Sequence, residues 1–158
     1  MSNLEAMSPD PSQTGDFASN SPAGRPVDPP PAPAAPEPAA IASGAAANDT
    51  IFGRILRGEI PCDAVYADDL CLAFRDVNPQ APVHLLVIPR EALANLGDAG
   101  GQHRELLGHL LLVAAKVARQ EGLEGWRTVI NSGAEAGQTV FHLHVHVIGG
   151  RPLAWPPG

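Results

Sequence analysis

Phe141-His142-Leu143-His144-Val145-His146-Val147-Ile148-Gly149-Gly150 is the stretch on which the reading of this chain turns. Side chains of a β-strand alternate between faces, so His142, His144 and His146 share one face while Leu143, Val145 and Val147 share the other. The apolar face needs a core to pack on, which leaves the histidine face to a cleft. Same-face neighbours stand about 6.5–7 Å apart along a strand. At that spacing, flanking imidazoles can orient the middle one, or two of them can share a ligand. Three readings compete. The histidines can form the polar side of an edge strand. They can supply two nitrogens to zinc, with a third ligand such as His84 from another strand. Or one imidazole can attack phosphorus while its neighbours handle protons and charge. The segment just upstream favours the last. Asn131-Ser132-Gly133-Ala134-Glu135-Ala136-Gly137-Gln138-Thr139 is a glycine-rich turn suited to offering backbone N–H groups and a hydroxyl to phosphate oxygens.

Working outward, Asn48-Asp49-Thr50 is an N-cap cluster ahead of Ile51, Phe52, Ile55 and Leu56 at helical spacing, and Gly58 with Pro61 ends that helix. Val65–Ala67 and Leu70–Phe74 around Asp68-Asp69 predict a hairpin, and Val83–Ile88 predicts a strand between two prolines. Residues 103–120 form the one long helix, its stripe made of Leu106, Leu107, Leu110, Val113, Ala114 and Val117. Trp126–Asn131 and Phe141–Ile148 complete the strands. Strands gathered around one strong helix imply an α+β fold with an antiparallel sheet.

Upstream of residue 49 the composition changes. Residues 1–48 hold 10 of the 17 prolines but none of the six histidines, so no candidate site residue lies there. Asp28–Pro38 reads as a polyproline-II-like spacer, and the segment buries too little apolar surface to offset its ordering entropy. The expected organisation is a disordered Pro/Ala-rich extension over 1–48 and one domain over 49–158. The formal charge of −7, without any Lys/Arg run, argues against nucleic-acid and anionic-membrane partners. Cys62 and Cys71 match neither a disulfide framework nor a structural zinc spacing. No segment reads as a membrane span or an export signal, so a reducing, soluble compartment, the cytoplasm, is expected.

With these elements in place the chain resembles the histidine-triad (HIT) family. The resemblance rests on His142-x-His144-x-His146 together with Asp49-Thr50-Ile51-Phe52-Gly53, Ala73–Pro82, Leu86-Val87-Ile88-Pro89 and Trp155-Pro156-Pro157-Gly158. These surroundings are similar to the Hint branch, the purine nucleoside phosphoramidases. The resemblance implies a five-stranded antiparallel sheet with two helices, and a homodimer whose sheets join into ten strands. It implies a nucleotide-binding hydrolase that cleaves the P–N bond of purine nucleoside 5′-phosphoramidates with no metal or cofactor. His144 would be the nucleophile, His146 the partner of the phosphate oxygens, and His142 and His84 the supporting shell. Asp76 would hold the ribose hydroxyls. Val77, Phe74, Phe52, Ile55 and Ile60 would enclose the base. Asn131, Gly137, Gln138 and Thr139 would hold the phosphate, and Trp155 would reach the leaving group in the other subunit's site. The family commonly has Ser at the position of Thr139, and the hydroxyl is kept. Alternatives are a dinucleoside polyphosphate hydrolase with the same triad and a nucleotide-sensing interaction protein with incidental catalysis. His103 and His109 receive no role.

Overall fold

Thr50 opens the first helix because its hydroxyl accepts the N–H of Gly53 at 3.1 Å, satisfying a donor that the first turn leaves free. The computed structural model describes residues 49–157; the expected N-terminal extension lies outside them. Helix α1 spans Ile51–Leu56 and is followed by strands β1 (Ala64–Ala67), β2 (Cys71–Arg75) and β3 (Val83–Pro89). Helix α2 spans Arg104–Gln120, and strands β4 (Trp126–Val129) and β5 (Val145–Gly149) close the domain. All neighbouring strands run antiparallel, in the order β1-β2-β3-β5-β4. The α+β class, the five-stranded sheet and the two helices stand as expected. Among the described residues no helix is long and apolar enough to cross a membrane.

Strand alternation sorts the core into two layers. Cys71 and Ala73 of β2, Leu85 and Val87 of β3, and Val145 and Val147 of β5 pack with Leu106, Leu110, Val113, Ala114 and Val117 of α2. Leu72, Phe74, Leu86 and Ile88 turn to the opposite face, where Phe52, Ile55 and Leu56 of α1 cover them. That second face also carries the histidines. The β1–β2 turn is built by Asp68, whose Oδ1 accepts the N–H groups of Leu70 and Cys71 at 2.9 and 2.8 Å.

Two strands are shorter than their sequence pattern. β4 stops at Val129 rather than Asn131, and the strand expected over Phe141–Ile148 is Val145–Gly149. The reason for the second lies in its neighbour. β3 pairs with β5 from Val83↔Gly149 to Val87↔Val145, and two residues on stands Pro89, which has no N–H to give the ladder. Leu143 instead donates its N–H to the carbonyl of Leu93 at 2.6 Å, and the His142 ring reaches the carbonyl of Pro89. Alternation survives the loss of the ladder. Leu143 still lies in the α2 layer, while the rings of His142 and His144 meet Phe52 on the other side.

Candidate active site

The β3–β5 register places His84 opposite Ile148 and His146 opposite Leu86, so the two histidines are same-face diagonal neighbours. Nε2 of His84 lies 2.8 Å from Nδ1 of His146. The protons on this pair follow from its far end. The backbone N–H of Gln80 donates to Nδ1 of His84 at 3.1 Å, so a neutral His84 carries its proton on Nε2 and gives it to His146. Nδ1 of His146 is then an acceptor, and its proton sits on Nε2. That Nε2 is buried and has no hydrogen-bond partner among the described residues. A buried donor without an acceptor costs about 1–3 kcal/mol, which an anionic oxygen would remove.

His144 is set the opposite way. Its Nδ1 donates to the carbonyl of His142 at 2.8 Å, leaving a lone pair on Nε2. The His144 and His146 rings are 4.9 Å apart at 71°, and the Phe52 ring packs on His144 at 5.2 Å. His142 is fully buried and donates from Nε2 to the Pro89 carbonyl at 2.8 Å. It anchors the backbone that holds His144 and does not line the cleft.

Burial favours neutral rings. It is the first cause lowering His146 to about 4, helped by the neighbouring His144 and His84 and opposed by the Asp76 carboxylate. Burial also lowers His84 against Asp76, and lowers His142 against the hydrogen bond to Pro89. The site therefore holds one cleft-facing lone pair, on His144, and one unpartnered N–H, on His146.

These groups open on a cleft of about 430 Å³, within the range of small-ligand sites. Of the residues singled out above, His84, His144, His146, Asp76, Val77, Phe74, Phe52, Ile55, Ile60 and Thr139 line it. Val77 is wholly exposed at the rim, so its side chain is available to a ligand. Oδ1 of Asp76 accepts the N–H of Asn78 at 2.8 Å, and Oδ2 stands 3.5 Å from Nε2 of His84. Asn131, Gly137, Gln138 and Trp155 are not on the wall. Gln138 is buried with its amide bonded inward, and Trp155 is 84% exposed beyond Ala154, whose carbonyl accepts from Arg127. The pattern missed Gln80, which acts through its backbone, and Cys62 and Val140 on the wall. His103 and His109 tie loops to α2 through Glu91 and Asp68.

Among the described residues, two groups of side chains gather potential metal ligands: Asp76, His84 and His146, and Asp68, Cys71 and His109. In the first, the facing imidazole nitrogens are 2.8 Å apart with a proton between them. Two nitrogens on tetrahedral zinc would stand about 3.3 Å apart, each presenting a lone pair. The pair is a hydrogen bond and not a chelate. In the second, Asp68 is held by His109 at 2.7 Å and by the Tyr66 hydroxyl at 2.8 Å, and burial pushes the Cys71 thiol up.

A histidine with its Nε2 lone pair toward the cleft, beside a buried imidazole donor on the sheet face that α1 covers, is the arrangement that the histidine-triad resemblance implies. The HIT domain model matches residues 57–153, and the chain belongs to that family. An uncharacterized HIT-like protein of Synechococcus elongatus is 67% identical over 112 residues, covering 70% of this chain and 98% of that protein. A 14 kDa zinc-binding protein of Zea mays is 54% identical over 114 residues, covering 70% of this chain and 89% of that protein. Among solved structures, a HIT family hydrolase from Legionella pneumophila aligns with a TM-score of 0.68 at 46% identity, covering 70% of this chain and all of that one. A HIT family hydrolase from Clostridium thermocellum aligns with a TM-score of 0.66 at 39% identity, over 67% of this chain and 94% of that one.

Proposed function

We propose that this chain is a purine nucleoside phosphoramidase of the Hint type. It hydrolyses the P–N bond of nucleoside 5′-phosphoramidates through a nucleotidyl-His144 intermediate. The observation that carries the reading is the opposed pair of protons: a lone pair on Nε2 of His144 and an unpartnered N–H on Nε2 of His146, side by side in one cleft. A nucleophile and an anion donor are the two groups that substitution at phosphorus requires. The hydrolase names of the structural relatives agree with this class of chemistry.

In the first step Nε2 of His144 bonds to phosphorus and the P–N bond breaks, the amine leaving with a proton drawn from water. In the second, water attacks phosphorus, its hydroxyl joins the nucleotide, its other proton neutralises the hydroxide left by the first step, and the electron pair returns to His144. One water is consumed, and a nucleoside monophosphate and an amine are released. His146 donates from Nε2 to a non-bridging oxygen throughout, held in that tautomer by His84 and Gln80. Asp76 faces the ribose hydroxyls with the lone pairs left to its carboxylate. Phe52, Ile55, Ile60, Phe74 and Val77 give the base an apolar slot. The maize relative is described as zinc-binding, but the 2.8 Å His84–His146 contact does not suit that ion, and no step is assigned to a metal.

A homodimer with a continuous ten-stranded sheet belongs to the same proposal. β4 is an edge strand whose free side is open to pairing. Steady-state rates on unsubstituted, alkyl and lysyl amidates of AMP and GMP test the activity. Turnover of the amidates supports it; nucleotide binding without turnover would favour a sensing protein.

A further inference from the structure

Gln138 sits between the glycine-rich turn and the histidine segment, and it is only 2% exposed. Its amide is fully engaged. Oε1 accepts the N–H of Gly133 at 2.9 Å, and Nε2 donates to the carbonyls of Ala94 at 2.7 Å and Val140 at 3.0 Å. Its backbone N–H also returns to the Gly133 carbonyl at 3.1 Å. Residues 133–138 are thus closed by one main-chain rung and one side-chain rung. Gly133 and Gly137 hold φ of 88° and 82°, a region that side chains disfavour, so the ring has one built conformation. The Ala94 anchor adds a second constraint. Adjacent Leu93 accepts the N–H of Leu143 at 2.6 Å, so one short segment grips both the turn and the chain entering the triad. Thr139 and Val140, the next residues, line the cleft with His144 and His146.

We propose that Gln138 is a positioning residue that sets Thr139 and the turn against the phosphoryl group without touching substrate. This rests on reading the cleft as a nucleotide phosphate site. The surroundings ask for an amide, because they present one N–H and two carbonyls around a buried side chain. Methionine fills the volume but makes none of the three bonds. Glutamate satisfies Gly133, yet turns its second oxygen on two carbonyl oxygens until it takes up a proton, after which it donates to one of them.

The test is calorimetric binding of AMP and adenosine to wild type, Gln138→Met and Gln138→Glu, with melting temperatures alongside. A displaced phosphate cradle should weaken AMP by about 10-fold and leave adenosine within about 2-fold, because the base and ribose walls come from other elements. Relative to wild type at each pH, the Glu variant should regain AMP affinity between pH 8 and pH 5, and the Met variant should not. Equal losses for AMP and adenosine, unchanged AMP affinity in either variant, or a pH-independent deficit in the Glu variant would overturn the positioning role. If Gln138→Met does not fold, the Glu series carries the test alone. A wild-type chain that binds neither ligand brings down the nucleotide reading, and this proposal with it.

Discussion

Replacing His84 by alanine removes the donor that meets Nδ1 of His146 and so fixes where the His146 proton sits. A net buried hydrogen bond contributes about 0.5–1.5 kcal/mol. If that term orients the phosphate donor in the transition state, its loss slows kcat/KM by roughly 2- to 13-fold. The freed His146 can also present its lone pair to a phosphate oxygen, which repels, so about 10-fold is expected. The titration of His146 should move as well. His146 is held near 4 by burial first and by the His144 and His84 rings next, against an ordinary value of 6.5. In His84→Ala, water reaches Nδ1 and one repelling ring is gone, so His146 rises toward 6.5. His84→Gln supplies an N–H in place of Nε2 and should recover most of the rate while keeping His146 low. Steady-state kinetics on an AMP amidate read the rate, and an NMR titration of the His146 ring reads the shift. A His84→Ala enzyme with wild-type rate and an unmoved His146, or a Gln variant as impaired as Ala, would refute the relay.

Thr50→Ala removes the cap on α1 and should cost about 1 kcal/mol in chemical denaturation; no change would mean that the packing of Phe52 and Leu56 carries the helix by itself. Stability should fall as pH drops from about 6.5 toward 4, because His84, His142 and His146 bind protons less readily folded than unfolded, and the unfolded chain gains them first. Asp68, lowered to about 2, adds a second loss below its ordinary 3.8, and a melting temperature flat from pH 7 to pH 4 would contradict the histidine part. Deleting residues 155–158 should shift the preference among amine leaving groups more than the rate on the unsubstituted amidate, with dimerisation intact; equal losses on all amidates would make the arm structural.

The fold was legible because its signals are local. The apolar stripe of α2, the Asp68 turn and the strict alternation of Leu143, Val145 and Val147 each work within a few residues. The placement of His144 and His146 in one cleft followed from the same alternation, even where the ladder is absent. His84 joined them because two strands pair in a register that puts it diagonal to His146. What could not be read depends on partners distant in sequence. Pro89 lies more than fifty residues before the strand it shortens, and its missing N–H acts only once β3 and β5 are side by side. Gln138 has the side chain of a phosphate ligand, but Ala94 and Gly133 claim it from inside. Gln80 contributes a backbone N–H, which no residue type advertises. Trp155 stands apart from the cleft of its own chain, and the part that the resemblance implies for it needs a second subunit.

The central claim is that Nε2 of His144 carries the nucleotide. Rapid-quench intact mass spectrometry under near-neutral conditions, during turnover of a lysyl-AMP amidate, tests it most directly. The account predicts a transient gain of one nucleoside monophosphate, less water, mapped to His144, and neither adduct nor turnover in His144→Asn, which should still bind AMP. An adduct on another residue, or near-normal turnover in His144→Asn, would contradict it.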